Sequence, residues 1–235
     1  RAVGSREAGA TPVIAVCGLK FEAAIAAGPG VMTLCGVGSE RLAARLEDLI
    51  VQDARPCRGI ISFGTAGGLD PALPPGACVI ADGIVSPAGR LPVDAHWLRA
   101  LQACLPEAIQ GVLAGVDQPV RDAADKARLW QSSLARTVDM ESHRAALIAQ
   151  RHGVPFAACR VVVDPAHRGL PVAATAGLRD DGTAALMQIL RALAAHPGQL
   201  PALLQLASDA GAAKRTLRAV RSRTGGSFAL PPHPG

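Results

Sequence analysis

The chain of 235 residues has no tyrosine and only 3% aromatics in all, so it lacks the rings needed to stack successive nucleic-acid bases. A single stacked base would need only one ring. Charged residues are 18% against 49% hydrophobic, a balance too apolar for a disordered tail protein or a highly charged coiled coil. The six cysteines (Cys17, Cys35, Cys57, Cys78, Cys104 and Cys159) never fall at C-x-x-C spacing, so half of a zinc site is missing. We expect them as buried small hydrophobes with reduced thiols. No apolar run approaches the roughly 18 residues of a membrane helix. Residues 13–17 are too short for a signal-peptide core and are followed by Lys20 and Glu22. These absences predict a cytosolic protein without a metal or cofactor. Nucleotide signatures are absent too: no G-x-x-x-x-G-K-S/T and no G-x-S-x-G occur, and the best dinucleotide fingerprint, from Gly36, ends in Arg41 instead of Gly or Ala.

What is present alternates. Apolar, β-rich runs at 12–17, 31–35, 59–63, 78–85, 111–116 and 156–163 are separated by helical spacing at 40–52, 122–134, 141–152 and 183–195. This order predicts an α/β fold, a three-layer α/β/α sandwich on a mixed, mostly parallel central sheet. We divide the chain into a flexible N-terminus (1–11), one catalytic domain (12–196), a helical basic extension (197–223) and a disordered tail (224–235). Lys214, Arg215, Arg218, Arg221 and Arg223 follow residue 209 with no acid among them, which matches the net charge of +5. The body is therefore near neutral, and the basic balance gives no case for duplex binding.

In open α/β sheets ligands bind beyond the carboxyl ends of the strands. Three places there carry chemistry. Gly64-Thr65-Ala66-Gly67-Gly68 offers a flexible backbone and a hydroxyl, either as a cradle for a hydroxylated or anionic ligand or as a plain turn. Glu141, after Val138-Asp139-Met140, opens a helix, either as a ligand-binding acid or as a cap. Asp164 ends an apolar strand before Pro165, either as an acid whose burial favours proton donation or as an Asp-Pro turn. Glu22, near the first strand's end, reads on its own as a solvated helix acid.

In this order the motifs Val16-Cys17-Gly18-Leu19-Lys20-Phe21-Glu22, Ile61 to Leu69, Val138-Asp139-Met140-Glu141-Ser142 and Arg160-Val161-Val162-Val163-Asp164 resemble the nucleoside phosphorylase and nucleosidase superfamily, which includes methylthioadenosine/S-adenosylhomocysteine nucleosidases. The wording around His143 and Val162 to Ala166, with the basic C-terminal stretch, looks most like its hopanoid-associated branch, associated with removing adenine from adenosylhopane. The resemblance implies cleavage of an N-glycosidic bond by Asp164 protonating the purine, Glu141 holding the ribose hydroxyls and Met140 packing beneath the sugar. Glu22 would position or deprotonate water, with Thr65 and Gly67 in the binding loop. It also implies a homo-oligomer acting on a small-molecule nucleoside, by hydrolysis or with phosphate as co-substrate.

Three departures qualify that picture. Ser62 stands where phosphorylases of the superfamily commonly carry a phosphate-gripping arginine, leaving Gly36, Gly38 and Ser39, with Lys20 or Arg168, as the alternative phosphate site. Val163 replaces a serine that often orients the acid. The segment 116–120, around Gln118, has no aromatic to stack on the base, so Phe63 or Phe156 would have to serve. Leu217 and Val220, flanked by arginines over 210–223, fit contact with an anionic membrane face, a solvated basic helix or a subunit contact. A nucleoside-binding regulator without turnover is the reading outside enzymology.

Overall fold

Strand β1 (Val13–Cys17) is buried along its whole length, with Val13, Ala15 and Cys17 in one apolar cluster and Ile14 and Val16 in another. Side chains alternate across a strand, so both faces of the sheet are covered. The computed structural model describes residues 11–36, 39–52, 57–169, 198 and 200–232. Around β1 lie α1 (Lys20–Ala26), β2 (Val31–Cys35), α2 (Ser39–Gln52) and β3 (Gly59–Gly68). Then come β4 (Cys78–Ser86), β5 (Gly89–Leu91), α3 (Ala95–Cys104) and β6 (Ile109–Gly115). The last are α4 (Ala123–Ser133), β7 (Thr137–Asp139), α5 (Ser142–Arg151), β8 (Phe156–Asp164) and α6 (Leu200–Thr224). The helix expected at 183–195 lies outside the described residues.

The fold is α/β on a mixed sheet of eight strands. Parallel pairs join β1 to β2 and β3, β3 to β8, and β6 to β4 and β7; antiparallel pairs join β3 to β7, β4 to β8 and β4 to β5. The pairing β3-β8-β4-β6-β7 returns to β3, so part of the sheet closes into a ring, a feature beyond the sandwich expected. Its pivot is β3. Residues Gly59 to Ser62 pair with β1, whereas Gly67 and Gly68 have turned away to pair with β7. Helices α1, α3 and α6 cover one face and α2 and α5 the other.

Two expectations about the C-terminus are overturned. Leu217 and Val220 are buried in the core, not presented to a membrane, because they are the face by which α6 packs on the sheet. The tail expected to be disordered from 224 is ordered through its described residues: Phe228 is buried, its ring 5.1 Å from that of Phe63, and its carbonyl accepts a 2.7 Å hydrogen bond from the Trp97 indole. Leu230 completes this plug. Of the cysteines, Cys17, Cys78 and Cys159 are buried and the others half-buried, all as free thiols.

Candidate active site

Glu22 is not the solvated helix acid its position suggests; it is 1% exposed. From the first turn of α1 its carboxylate folds back onto the end of β1. Oε2 accepts from the amides of Gly18 at 3.0 Å and Leu19 at 2.9 Å, and Oε1 accepts from the Thr65 amide at 2.8 Å and hydroxyl at 2.6 Å. Four donors fill the carboxylate and tie β1 to β3. The approach is so close that a Cβ on Gly64 would lie 2.5 Å from Glu22 Oε2, and one on Gly18 would lie 2.9 Å from Glu141 Oε1. These two glycines are what let the acids converge.

At the start of α5 the capping is done by Asp139, whose Oδ1 accepts from the amides of Ser142 at 3.0 Å and Glu141 at 3.3 Å. Glu141 makes no cap bond, which disposes of the plain cap reading. Its carboxyl instead meets Arg160, whose Nη2 donates to Oε2 at 3.1 Å. Arg160 is wholly buried on β8: Nε faces Asp139 Oδ2 at 2.6 Å, Nη2 donates to Ser62 Oγ at 2.6 Å and Nη1 to the Thr65 carbonyl at 3.3 Å. Ser62 and Ser142 complete the network at 2.7 Å. Burial works against the charge on Arg160, but Asp139, Glu141 and Glu22 outweigh it and hold the guanidinium's pKa above its usual value. For Glu141 burial dominates, with Asp139 and Glu22 adding to it against Arg160, and its pKa is pushed up to about 8.

Asp164 lies at the other end of the same stretch of β3. The β3–β8 register slips between Ala66 and Gly67, so that Ala66 faces Val162 but Gly67 faces Asp164. Such a bulge re-aims a side chain. Gly67 is also paired with Val138 of β7, and it therefore sits between the acid and the strand that leads to Glu141. Gly64, against Glu22 and Arg160, and Gly67, against Asp164, are three residues apart, roughly 10 Å of extended chain at ~3.3 Å each. Burial raises the pKa of Asp164, opposed by the buried ammonium of Lys126 on α4, which contacts its Oδ2.

Other expected site residues fall elsewhere. Phe63 is wholly buried with its ring on that of Phe228 in the core, and Phe156 is buried at the start of β8, the opposite end from Asp164; both rings are taken up by the core instead of being presented to a base. Met140 is half-buried at the bend between β7 and α5. Gly36 donates its amide to the Cys17 carbonyl at 3.2 Å, so that group is not free for phosphate; Gly38 lies outside the described residues, and Ser39 begins α2. Arg168 is paired with Asp209 of α6. From sequence alone neither Arg160 nor Lys126 is marked as a site residue. Arg160 ends the alternating run Phe156, Ala158, Arg160 on one strand face, a polar group where burial was certain, which is a usable signal. Lys126 offers only that it is one of three lysines among 24 basic residues. No group of three or more His, Cys, Asp or Glu among the described residues is placed to hold a metal ion. Nor is any described helix long and apolar enough to cross a membrane.

Buried acids around one guanidinium, at the carboxyl ends of a mixed α/β sheet, form a candidate site with the groups that acid–base chemistry needs. The chain matches the phosphorylase superfamily over residues 3–195 and belongs to that family of nucleosidases and phosphorylases. No curated protein matches it by sequence. Among solved structures it is similar to a Helicobacter pylori methylthioadenosine nucleosidase with 5'-methylthioadenosine in the active site, at TM-score 0.64 and 14% identity, covering 92% of this chain and 99% of the other. It is similar to a Neisseria meningitidis methylthioadenosine/S-adenosylhomocysteine nucleosidase in complex with methylthio-immucillin-A, at 0.62 and 17% identity, covering 91% and 100%. A Helicobacter pylori futalosine hydrolase matches at 0.62 and 15% identity, covering 89% and 96%.

Proposed function

We propose that the protein hydrolyses the N-glycosidic bond of a 5'-substituted adenosine and releases adenine. The observation that carries this is the pairing of an acid beyond Gly67 with an acid cluster beside Gly64, because the reaction builds negative charge on the departing purine and positive charge on the ribose. In this reading the C1'–N9 bond breaks with its electron pair going to the purine, and Asp164 delivers a proton to N7. Glu141 and Met140 hold the sugar. Water attacks C1', and its proton leaves through the Thr65 hydroxyl toward Glu22. Among the described residues that hydroxyl is the one side-chain donor to Glu22, and its oxygen can accept the water's proton as its own proton passes to the carboxylate.

Water is favoured over phosphate by charge: even with Glu141 protonated, the two acids Asp139 and Glu22 face the single guanidinium of Arg160 on the sugar side, leaving no positive charge to hold a dianion. The motif wording supports adenosylhopane as the substrate. A methylthioadenosine- or adenosylhomocysteine-type nucleoside is the second reading, supported by the neighbours' bound ligands. The test is to incubate the enzyme with a panel of 5'-substituted adenosines, with and without phosphate, and follow free adenine. Release independent of phosphate is expected, and Asp164→Asn should slow it about 10²- to 10⁴-fold. An absolute need for phosphate would overturn the assignment of water, and undiminished release by the variant would overturn the role of Asp164.

A further inference from the structure

An ammonium group taken wholly out of water costs several kcal/mol unless its protons are matched. Lys126 is 0% exposed, and its four acceptors all belong to one short segment, the end of β8 and the residues after it. Nζ contacts Asp164 Oδ2 and donates to the carbonyls of Asp164 at 3.3 Å, Pro165 at 3.1 Å and Arg168 at 2.9 Å. Holding α4 in place does not require this charge, because Leu129 and Trp130 already pack against Val138 and Leu69 and Asp122 already caps the helix. Nor does the chain before Asp164 offer a side-chain donor: Val163 has none.

We infer that Lys126 is the positioning residue of the acid, fixing one carboxyl oxygen of Asp164 and stabilising the carboxylate left when the proton has gone to the purine. This rests on the function proposed above. Before transfer the pair is an ammonium beside a neutral acid, net +1; the proton passes to N7 as the C1'–N9 electrons move onto the purine, and the pair becomes a neutral ion pair. Two cations face the acid, Lys126 from α4 and Arg168 from the segment after β8, and the latter is engaged by Asp209 of α6. Lys126 is thus the charge that bears most directly on Asp164.

The test uses Lys126→Met, with Lys126→Gln as a partner variant that keeps a donor but removes the charge. Both should lower kcat for adenine release about 10²-fold with little change in KM, and should move the basic limb of the pH–rate profile to higher pH, because an acid relieved of a nearby cation holds its proton longer. Combined with Asp164→Asn, neither should add a further loss. Carbon-13 titration of the Asp164 carboxyl, assigned with Asp164→Asn, gives a readout that does not depend on turnover, and its pKa should rise by about one unit or more in both variants. If the wild type releases no adenine, the proposed function fails, while the titration still decides the role of Lys126. Unshifted titration, or losses that multiply with Asp164→Asn, would overturn the inference.

Discussion

Glu141 shows how a single buried side chain couples the site to stability. In the native protein its pKa is about 8, against 4.5 for an ordinary glutamate, so between those values the unfolded chain has released a proton that the folded chain keeps. Stability therefore falls as pH rises through that window and levels off above it. Glu141→Gln cannot titrate and should remove most of this slope, whatever it does to stability at any one pH. Urea midpoints measured across the window check it; an unchanged slope would mean that Glu141 is ionised in the native state. A protonated Glu141 also has a donor to offer a sugar hydroxyl, which an ionised one lacks.

The same scale shows what local sequence can reveal. Glu141 and Asp164 stand out because each lies at or just past a strand's end, and strand ends are legible from apolar runs and glycines; Glu22 on its own reads as a solvated helix acid, and only the family resemblance marks it. Their partners were harder. Lys126 meets Asp164 across 38 positions, and nothing in the helical spacing of 122–134 distinguishes it from a solvent-facing lysine. Arg160 reads from sequence as part of an apolar strand, although a fully buried guanidinium there needs several acceptors. Phe63 and Phe156 misled for the opposite reason: large rings are few in this chain, but the core needed them more than the base did.

Among the elements, the apolar runs located β1, β2, β3, β4, β6 and β8 to within a few residues at most ends, because buried strands write themselves as continuous apolar stretches. The short pieces escaped. Helix α1 has seven residues and is preceded by Leu19, whose side chain cannot cap it; β5 has three; α3 carries a usable signal in Asp94, which accepts from the Trp97 amide at 2.8 Å, but lies between turns that mask it. Extension of β3 to Gly68 was hidden by the glycines that allow it to change neighbours. The C-terminal plug makes a prediction at this scale. Phe228→Ala removes a ring packed on Phe63 and should destabilise the protein by about 3–5 kcal/mol. Chemical denaturation checks it, and a change below about 1 kcal/mol would mean that the core closes without the segment.

For the whole molecule, charge and shape separate. The five basic side chains of α6 remain a cationic feature, but with Leu217 and Val220 in the core the helix has lost the apolar residues it would have inserted. The exposed apolar side chains of α6, Leu200 and Leu204, lie at its N-terminal end, away from the basic stretch, so attraction of that stretch to an anionic bilayer rests on Coulomb forces, which salt screens within about 10 Å at 0.1 M. Sedimentation with anionic vesicles should show binding only at low ionic strength; binding that persists at physiological salt would require an apolar contact, for which α6 offers the exposed Leu200 and Leu204. The ring of β3, β8, β4, β6 and β7 meanwhile leaves β2 and β5 as the sheet's outer strands, so closure protects the strands that carry the acids from pairing with another chain.

The indole of Trp97, bonded to the Phe228 carbonyl, has an optical consequence. With no tyrosine and two tryptophans, nearly all ultraviolet emission comes from Trp97 and the half-buried Trp130 of α4. One fluorophore watches the C-terminus settle onto the sheet, and the other rides on the helix that carries Lys126. Replacing either with phenylalanine leaves a single-colour gauge for the remaining one, without a dye or a label.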